Sequence, residues 1–332
     1  MTSSTPIRRI LELDSLRGIA AIMVVFFHYS TRFDGLFGHS PPLDWGFPYG
    51  HLGVHLFFII SGFVIFLTLQ RTKKPLDFVV SRLARLYPAY WAAVLLTFAA
   101  VAWFGLPNRE VTPGQMVVNL SMLQSFVGVP AVDGVYWSLR IELTFYFWIF
   151  LLFFFGKIEK ILPVAWFWLA CMTIGSLFTW GKWAFIEALL LWNFGYLFIA
   201  GIGFYHIFQG KRSLQIHALI LACLLPAFLK LPLIETCAVV LFFGIFYLFA
   251  YGKLQWISNK VLIFSGAISY VLYLIHQNIG YIILRELKGW DVPSSLKIAI
   301  AISICVFLSW IIHRLVEEPS RKAIRSLYKR YF

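Results

Sequence analysis

About ten stretches of roughly twenty mainly apolar residues divide this chain, and they leave few folds open to it. That length is what an α-helix needs to cross the hydrocarbon core of a bilayer. The runs fall at roughly 14–31, 51–70, 86–104, 135–155, 161–179, 184–206, 214–229, 233–251, 261–283 and 296–314. Only 13% of the 332 residues are charged, while 60% are hydrophobic, too few polar groups to cover a soluble protein of this size. The expected fold is all-α: a polytopic membrane bundle of about ten transmembrane helices forming one domain over 1–332. Pro226 and Pro232 crowd the seventh connection, where one bent pair would be miscounted. The segment 115–127, with Gln115, Asn119 and Gln124, reads as interfacial or re-entrant.

An even number of spans puts both termini on one side. Of the 28 Lys and Arg, 20 fall in the segments on that side, 7 on the other, and Arg140 lies within a span. The positive-inside rule then predicts both termini in the cytoplasm. The same rule accounts for the net charge of +13, with anionic membrane lipid rather than nucleic acid as the partner of the basic loops. The basic N-terminus and first apolar run lack a small-residue cleavage site, so they read as a retained span. Cys171, Cys223, Cys237 and Cys305 all sit in apolar runs with neither disulfide-framework nor zinc spacing, and no metal motif appears.

Ionisable residues inside spans are costly and mark function by default. Arg17 and His28 are eleven residues apart on the first helix. They therefore share a face, about 16 Å apart along the axis. The plain alternatives are a snorkelling arginine and a packed histidine. Arg82 and Arg85, three apart at the start of the third span, suit either a phosphate cradle or a lipid anchor. On the fourth span Ser138, Glu142 and Tyr146 recur every four residues on one face. By depth alone, Glu142 and His28 are expected to meet as a carboxylate–imidazole pair fit for general-base work. On the ninth, Tyr270, Tyr273 and Gln277 share a face with His276 beside them, to line a polar cavity or to act as interhelical hydrogen-bond glue. Glu317, Glu318 and Pro319 are expected to stop the last span near the inner arginines. Trp45, Tyr49 and Asp133, in the loops 32–50 and 105–134, are the expected acceptor contacts.

The segments LDSLRGIAAIMVVFFH, FFIISGFVI, RLARLYPAY, WSLRIELTFY, ISYVLYLIH and the terminal EEP, in this order from Leu13 to Pro319, resemble the acyltransferase 3 family of bacterial membrane proteins. The resemblance implies a multi-pass protein of the bacterial inner membrane. It would move an acyl group, usually acetyl, from cytoplasmic acyl-CoA (acetyl-CoA) to a hydroxyl of a cell-surface polysaccharide or its lipid-linked precursor. It implies Arg17 and His28 as the essential pair, Arg82 and Arg85 as acyl-CoA ligands, and Glu142 as the site carboxylate. A chain ending at Phe332 matches the form without an SGNH domain, so any second transfer step would need a partner protein. Direct transfer and an acyl-histidine relay remain open, as do a small-molecule acceptor such as a macrolide and, in another class, a transporter or channel.

Overall fold

The structure, a computed structural model, describes residues 9–70, 72–177 and 184–331. Positions 178–179 of the fifth expected span lie outside the described residues, as do Arg8, Arg71 and Lys182 from the charge comparison. The described residues contain helices and turns and no strands. The fold is the all-α polytopic membrane bundle that the apolar runs predict.

The first helix is α1 (Leu11–Phe27). It passes through a π-helical turn (His28–Arg32) into the short α2 (Phe33–Phe37). There follow α3 (Gly53–Leu69), led by a 3-10 turn from Pro48, and the thirty-residue α4 (Pro75–Phe104). A short α5 (Pro113–Asn119) precedes α6 (Trp137–Phe154) and α7 (Ile161–Leu177). Next come α8 (Ala184–Leu189), α9 (Gly195–Phe208), α10 (Leu214–Ala222), α11 (Leu225–Lys230) and α12 (Leu233–Ala250). The chain closes with α13 (Lys260–Glu286), α14 (Ser294–Ile312), a second π turn (His313–Glu317) and α15 (Glu318–Tyr331).

Among the described residues seven helical stretches are long and apolar enough to cross a bilayer by themselves. Each of the ten expected runs is mainly helical, but the sixth and seventh are interrupted. The sixth divides into α8 and α9 around a turn in which Leu191 adopts φ +55°. Lys230 Nζ donates to Trp192 O (3.0 Å), a backbone oxygen that a continuous helix would pair within itself, and to the side-chain Asn193 Oδ1 (3.2 Å). The seventh divides into α10 and α11 at Cys223–Leu224, just ahead of Pro226.

Two other boundaries differ from expectation. The predicted inner loop 71–85 is mostly helix, because α4 begins at Pro75 and the Asp77 carboxylate caps the Lys74 amide (3.1 Å). Arg82 and Arg85 thus stand on a rigid helix. Pro319 does not stop the chain's last helix. It follows closely on the π turn (His313–Glu317), which already breaks the regular α-helical ladder inside one helical stretch, Ser294–Tyr331, and α15 continues to Tyr331 beside α4. Tyr328 OH donates to Asp77 Oδ1 (2.7 Å) and Arg325 to Ser81 Oγ (3.3 Å) across that contact.

The core crossing is α1 on α13. A Cβ at Gly266 would stand 1.8 Å from Asp14 O, and one at Gly18 2.5 Å from Leu262 O, so glycine lets the two backbones touch. This contact sets the Arg17–His28 face of α1 beside the Tyr270–Gln277 face of α13. The segment 105–133 folds back over the bundle and is tied down by its own polar groups. Val132 N donates to Asn119 Oδ1, Tyr90 OH to Asn119 O, and Asn278 Nδ2 to Val132 O.

Candidate active site

Two cavities lie along the shared face of α1, α6 and α13. The first, about 70 Å³, is lined by Arg17, Ser61, Arg82, Arg85, Ser138, Glu142, Tyr146, Ser269, Tyr270 and Tyr273. Eight of the ten expected site residues therefore meet there, drawn from α1, α4, α6 and α13. The other two, His28 and His276, do not. His28 lines the second cavity, about 230 Å³, with Arg32, Arg109, Gly134, Val135, Trp137 and Gln277.

The arginine cavity is rich in positive charge. Arg17 pairs with Asp14 (3.2 Å), which also takes Arg9. Arg82 is 8% exposed. It donates to Thr68 Oγ1 and Ser81 Oγ (both 3.2 Å) and lies over the Tyr146 ring at 5.7 Å, while its Nε–H has no acceptor. Arg82 and Arg85 form no ion pair among the described residues. The lining carboxylate, Glu142, accepts from Ser61 Oγ (3.0 Å) and from the Tyr146 hydroxyl. Both donors bind the same oxygen, Oε1. Glu317 is buried near Arg85, as the terminal EEP suggested, but its hydrogen bond is to His313 Nδ1 (2.7 Å); Glu318 pairs with Arg314.

The expected His28–Glu142 contact is not formed. His28 shares its cavity with Trp137, the first residue of α6, and Glu142 lies five residues further along that helix, about 7–8 Å deeper. The partner brought to His28 is His276. Its Nδ1 faces Leu272 O (3.0 Å) and Tyr273 O (2.8 Å), which only accept, so Nδ1 carries the hydrogen. In the neutral ring Nε2 then holds a lone pair, and it stands 3.2 Å from His28 Nδ1. His28 Nδ1 also faces Val24 O (2.9 Å) and therefore donates. The lone pair of His28 is left on Nε2, which makes no hydrogen bond among the described residues. Two backbone carbonyls thus set one tautomer, and that tautomer sets the next.

Between the cavities stand Tyr273 and Ser138, joined hydroxyl to hydroxyl at 2.7 Å and each 3.1 Å from Val135 O; with two hydrogens for three contacts, one hydroxyl donates to the other, which donates to Val135 O. Tyr270, one turn away, donates to Leu86 O (3.0 Å) beside Pro88, which interrupts the hydrogen-bond ladder of α4. The polar residues of α13 thus line both cavities and bind across helices at once. Asp133, an expected acceptor contact, is fully buried and accepts from the Val135 and Asn278 amides. Trp45 and Tyr49 are exposed.

Three lining residues, Ser61, Arg32 and Arg109, are not among those expected from the sequence. Arg32 had a usable signal, since it follows His28 by four residues. Arg109 had none, because folding of the 105–133 segment brings it in. No group of three or more His, Cys, Asp or Glu among the described residues is arranged to hold a metal ion. The four cysteines are free.

Residues 10–314 match the family model described as "Acyltransferase domain", of the acyltransferase 3 type. The chain is 28% identical to the exopolysaccharide production protein ExoZ of Rhizobium meliloti (strain 1021), over 69% of this chain and 76% of the relative. It is 32% identical to protein 2 in the picA locus of Rhizobium radiobacter, over 39% of this chain and 69% of the relative. A third relative, the putative membrane-bound transacylase BcsY of Komagataeibacter xylinus, is 30% identical over 44% of this chain and 38% of its own. No solved structure matches. With a match over nearly its whole length, a helical membrane fold and the six motifs in order, the chain belongs to the acyltransferase 3 family of membrane acyltransferases.

Proposed function

We propose that this enzyme transfers an acyl group, acetyl by default, from cytoplasmic acyl-CoA to a hydroxyl of a cell-surface polysaccharide or its lipid-linked precursor, in the bacterial cytoplasmic membrane with both termini inside. The observation that carries this reading is the gathering of Arg17, Arg82 and Arg85 in one cavity at the end of the bundle that holds the start of α1, α15 and the start of α4. Guanidinium forks bind phosphates in pairs of parallel hydrogen bonds, and coenzyme A carries several phosphates at one end. Names among the relatives, exopolysaccharide production for ExoZ and O-acetyl transferase for a Shigella phage Sf6 protein, support a saccharide acceptor and an oxygen ester.

In this reading Arg82, Arg85 and Arg17 hold the donor's phosphates, and Glu142 is the counter-charge that keeps three cations together. The pantetheine arm runs along the Tyr270–Tyr273 face towards His28. His28 Nε2 takes the proton of the acceptor hydroxyl as its oxygen attacks the thioester carbonyl. The carbon–sulfur bond then breaks and the thiolate of coenzyme A leaves with that proton. His276 is a positioning residue, which holds His28 Nδ1–H and so keeps Nε2 basic.

The test is purified protein in liposomes with acetyl-labelled acetyl-CoA, alongside mass spectrometry of surface glycans from cells with and without the gene. Label on a glycan, and acetyl mass lost with the gene, are the expected results. Acylation retained by His28→Ala would sink the assignment.

A further inference from the structure

We propose that the histidine pocket selects an anionic acceptor: a saccharide carrying a carboxylate or phosphate close to the hydroxyl that is acylated. The inference rests on the reading of this pocket as the acceptor end of the proposed transfer, and it deepens that reading. Beside His28 the pocket presents two guanidinium groups, Arg32 from the turn after α1 and Arg109 from the 105–133 segment. Neither forms an ion pair among the described residues. Arg109 lies over the Tyr281 ring at 6.0 Å, which orients its plane without neutralising its charge. Glu110, next to Arg109 in the chain, accepts from the Arg109 backbone amide (3.2 Å), and the buried carboxyl of Asp133 is engaged by the Val135 and Asn278 amides. Burial pushes it up to about 7, against the pull of those amides and of Arg109, so it is a weak counter-ion.

A second observation is independent of charge. Gln277 is 5% exposed, lines the pocket, and its Oε1 accepts no hydrogen bond. A buried amide oxygen without a donor is costly, and a ligand hydroxyl would supply one. A Cβ at Gly134 would stand 2.6 Å from that oxygen and 2.8 Å from Arg109 Nη1. The acceptor oxygen and the cation therefore converge over the one lining residue that has no side chain. Two cations, a hydroxyl-seeking oxygen and the His28 lone pair together describe an acidic sugar: an anion for Arg32 and Arg109, one hydroxyl for Gln277, another for His28.

The experiment measures binding by the full chain in phosphatidylcholine nanodiscs at about 0.1 M salt. The probes are a trigalacturonate, its carboxyl-reduced counterpart and, as a lipid arm, the same discs with phosphatidylglycerol. We expect the acidic trisaccharide to bind about tenfold or more tighter than the reduced one. The double variant Arg32→Gln/Arg109→Gln should lose that preference, while coenzyme A binding in the other cavity reports that it is folded. Equal binding of the two sugars, or a preference that survives in the double variant, overturns the proposal. So does displacement of the trisaccharide by phosphatidylglycerol, which would make the occupant a lipid headgroup. Acetyl-CoA turnover by the unmodified protein is read separately. Its absence would count against the proposed activity, whereas the charge preference is read from binding alone.

Discussion

His28 and His276 face each other nitrogen to nitrogen, 3.2 Å apart, with ring planes at 77°. One imidazole thus does for the other what a carboxylate does in a catalytic triad, without adding a charge in the membrane interior. His276→Ala should lower kcat about 10- to 100-fold, the usual loss when the group orienting a functional histidine is removed. KM for acetyl-CoA should barely move, since the arginines lie in the other cavity. His276→Gln keeps an acceptor for His28 Nδ1–H and should recover part of the loss. Steady-state kinetics on the three proteins reads this; a change confined to KM would refute it.

Arg82 and Arg85 should act on donor affinity. Loss of one fork bound to phosphate costs about 1.5–3 kcal/mol, or 10- to 100-fold in Kd. Arg82→Ala and Arg85→Ala should each weaken coenzyme A binding by that order, and lysine should rescue poorly because it cannot donate two parallel bonds. Calorimetric titration with coenzyme A is the measurement. Unchanged affinity in both variants removes the phosphate cradle.

Tyr273→Phe deletes one hydroxyl from the partition between the cavities and leaves Ser138 with Val135 O alone. The expected result is a less selective barrier, with more acetyl-CoA hydrolysed per acetyl group transferred. The ratio of free acetate to acetylated glycan measures it, and an unchanged ratio would mean that the hydroxyl pair serves packing only.

Gly266→Ala should damage the whole fold, because its Cβ would meet the Asp14 carbonyl and drive α1 from α13. We expect a lower melting temperature in detergent together with loss of activity. Gly244→Ala, at a helical glycine with open space around it, is the control and should be neutral or slightly stabilising.

Asp133 makes stability depend on pH. Its folded-state carboxyl sits at about 7 against an ordinary value of 3.8, so between those values the folded chain holds a proton that the unfolded chain has released. Stability should therefore fall as pH rises through that window and level off above it. Melting temperature of the solubilised protein from pH 5 to 8 reads the slope, and Asp133→Asn should flatten it.

The apolar runs by themselves determined a helical membrane fold, because a bilayer forces every spanning backbone group to bond within its own helix. Spacing within a helix was equally legible. Arg17 with His28, Arg82 with Arg85, Ser138 with Glu142 and Tyr146, and Tyr270 with Tyr273 each share a face by the 3.6-residue period, and all nine of these residues line one cavity or the other. What the tertiary structure decided was which faces meet and at what depth. Glu142 and His28 are level when counted from the membrane surface, but the close Gly18 and Gly266 contacts seat α1 on α13 and not on α6, and His28 opens into the cavity at the Trp137 end of α6 while Glu142, five residues further along, lines the other. Arg109 reaches the histidine pocket only because Asn119, Asp133 and Asn278 fold a long connection back onto the bundle. Local periodicity carries no information about such offsets, since they arise from contacts between residues of different elements, such as Asp133 and Asn278.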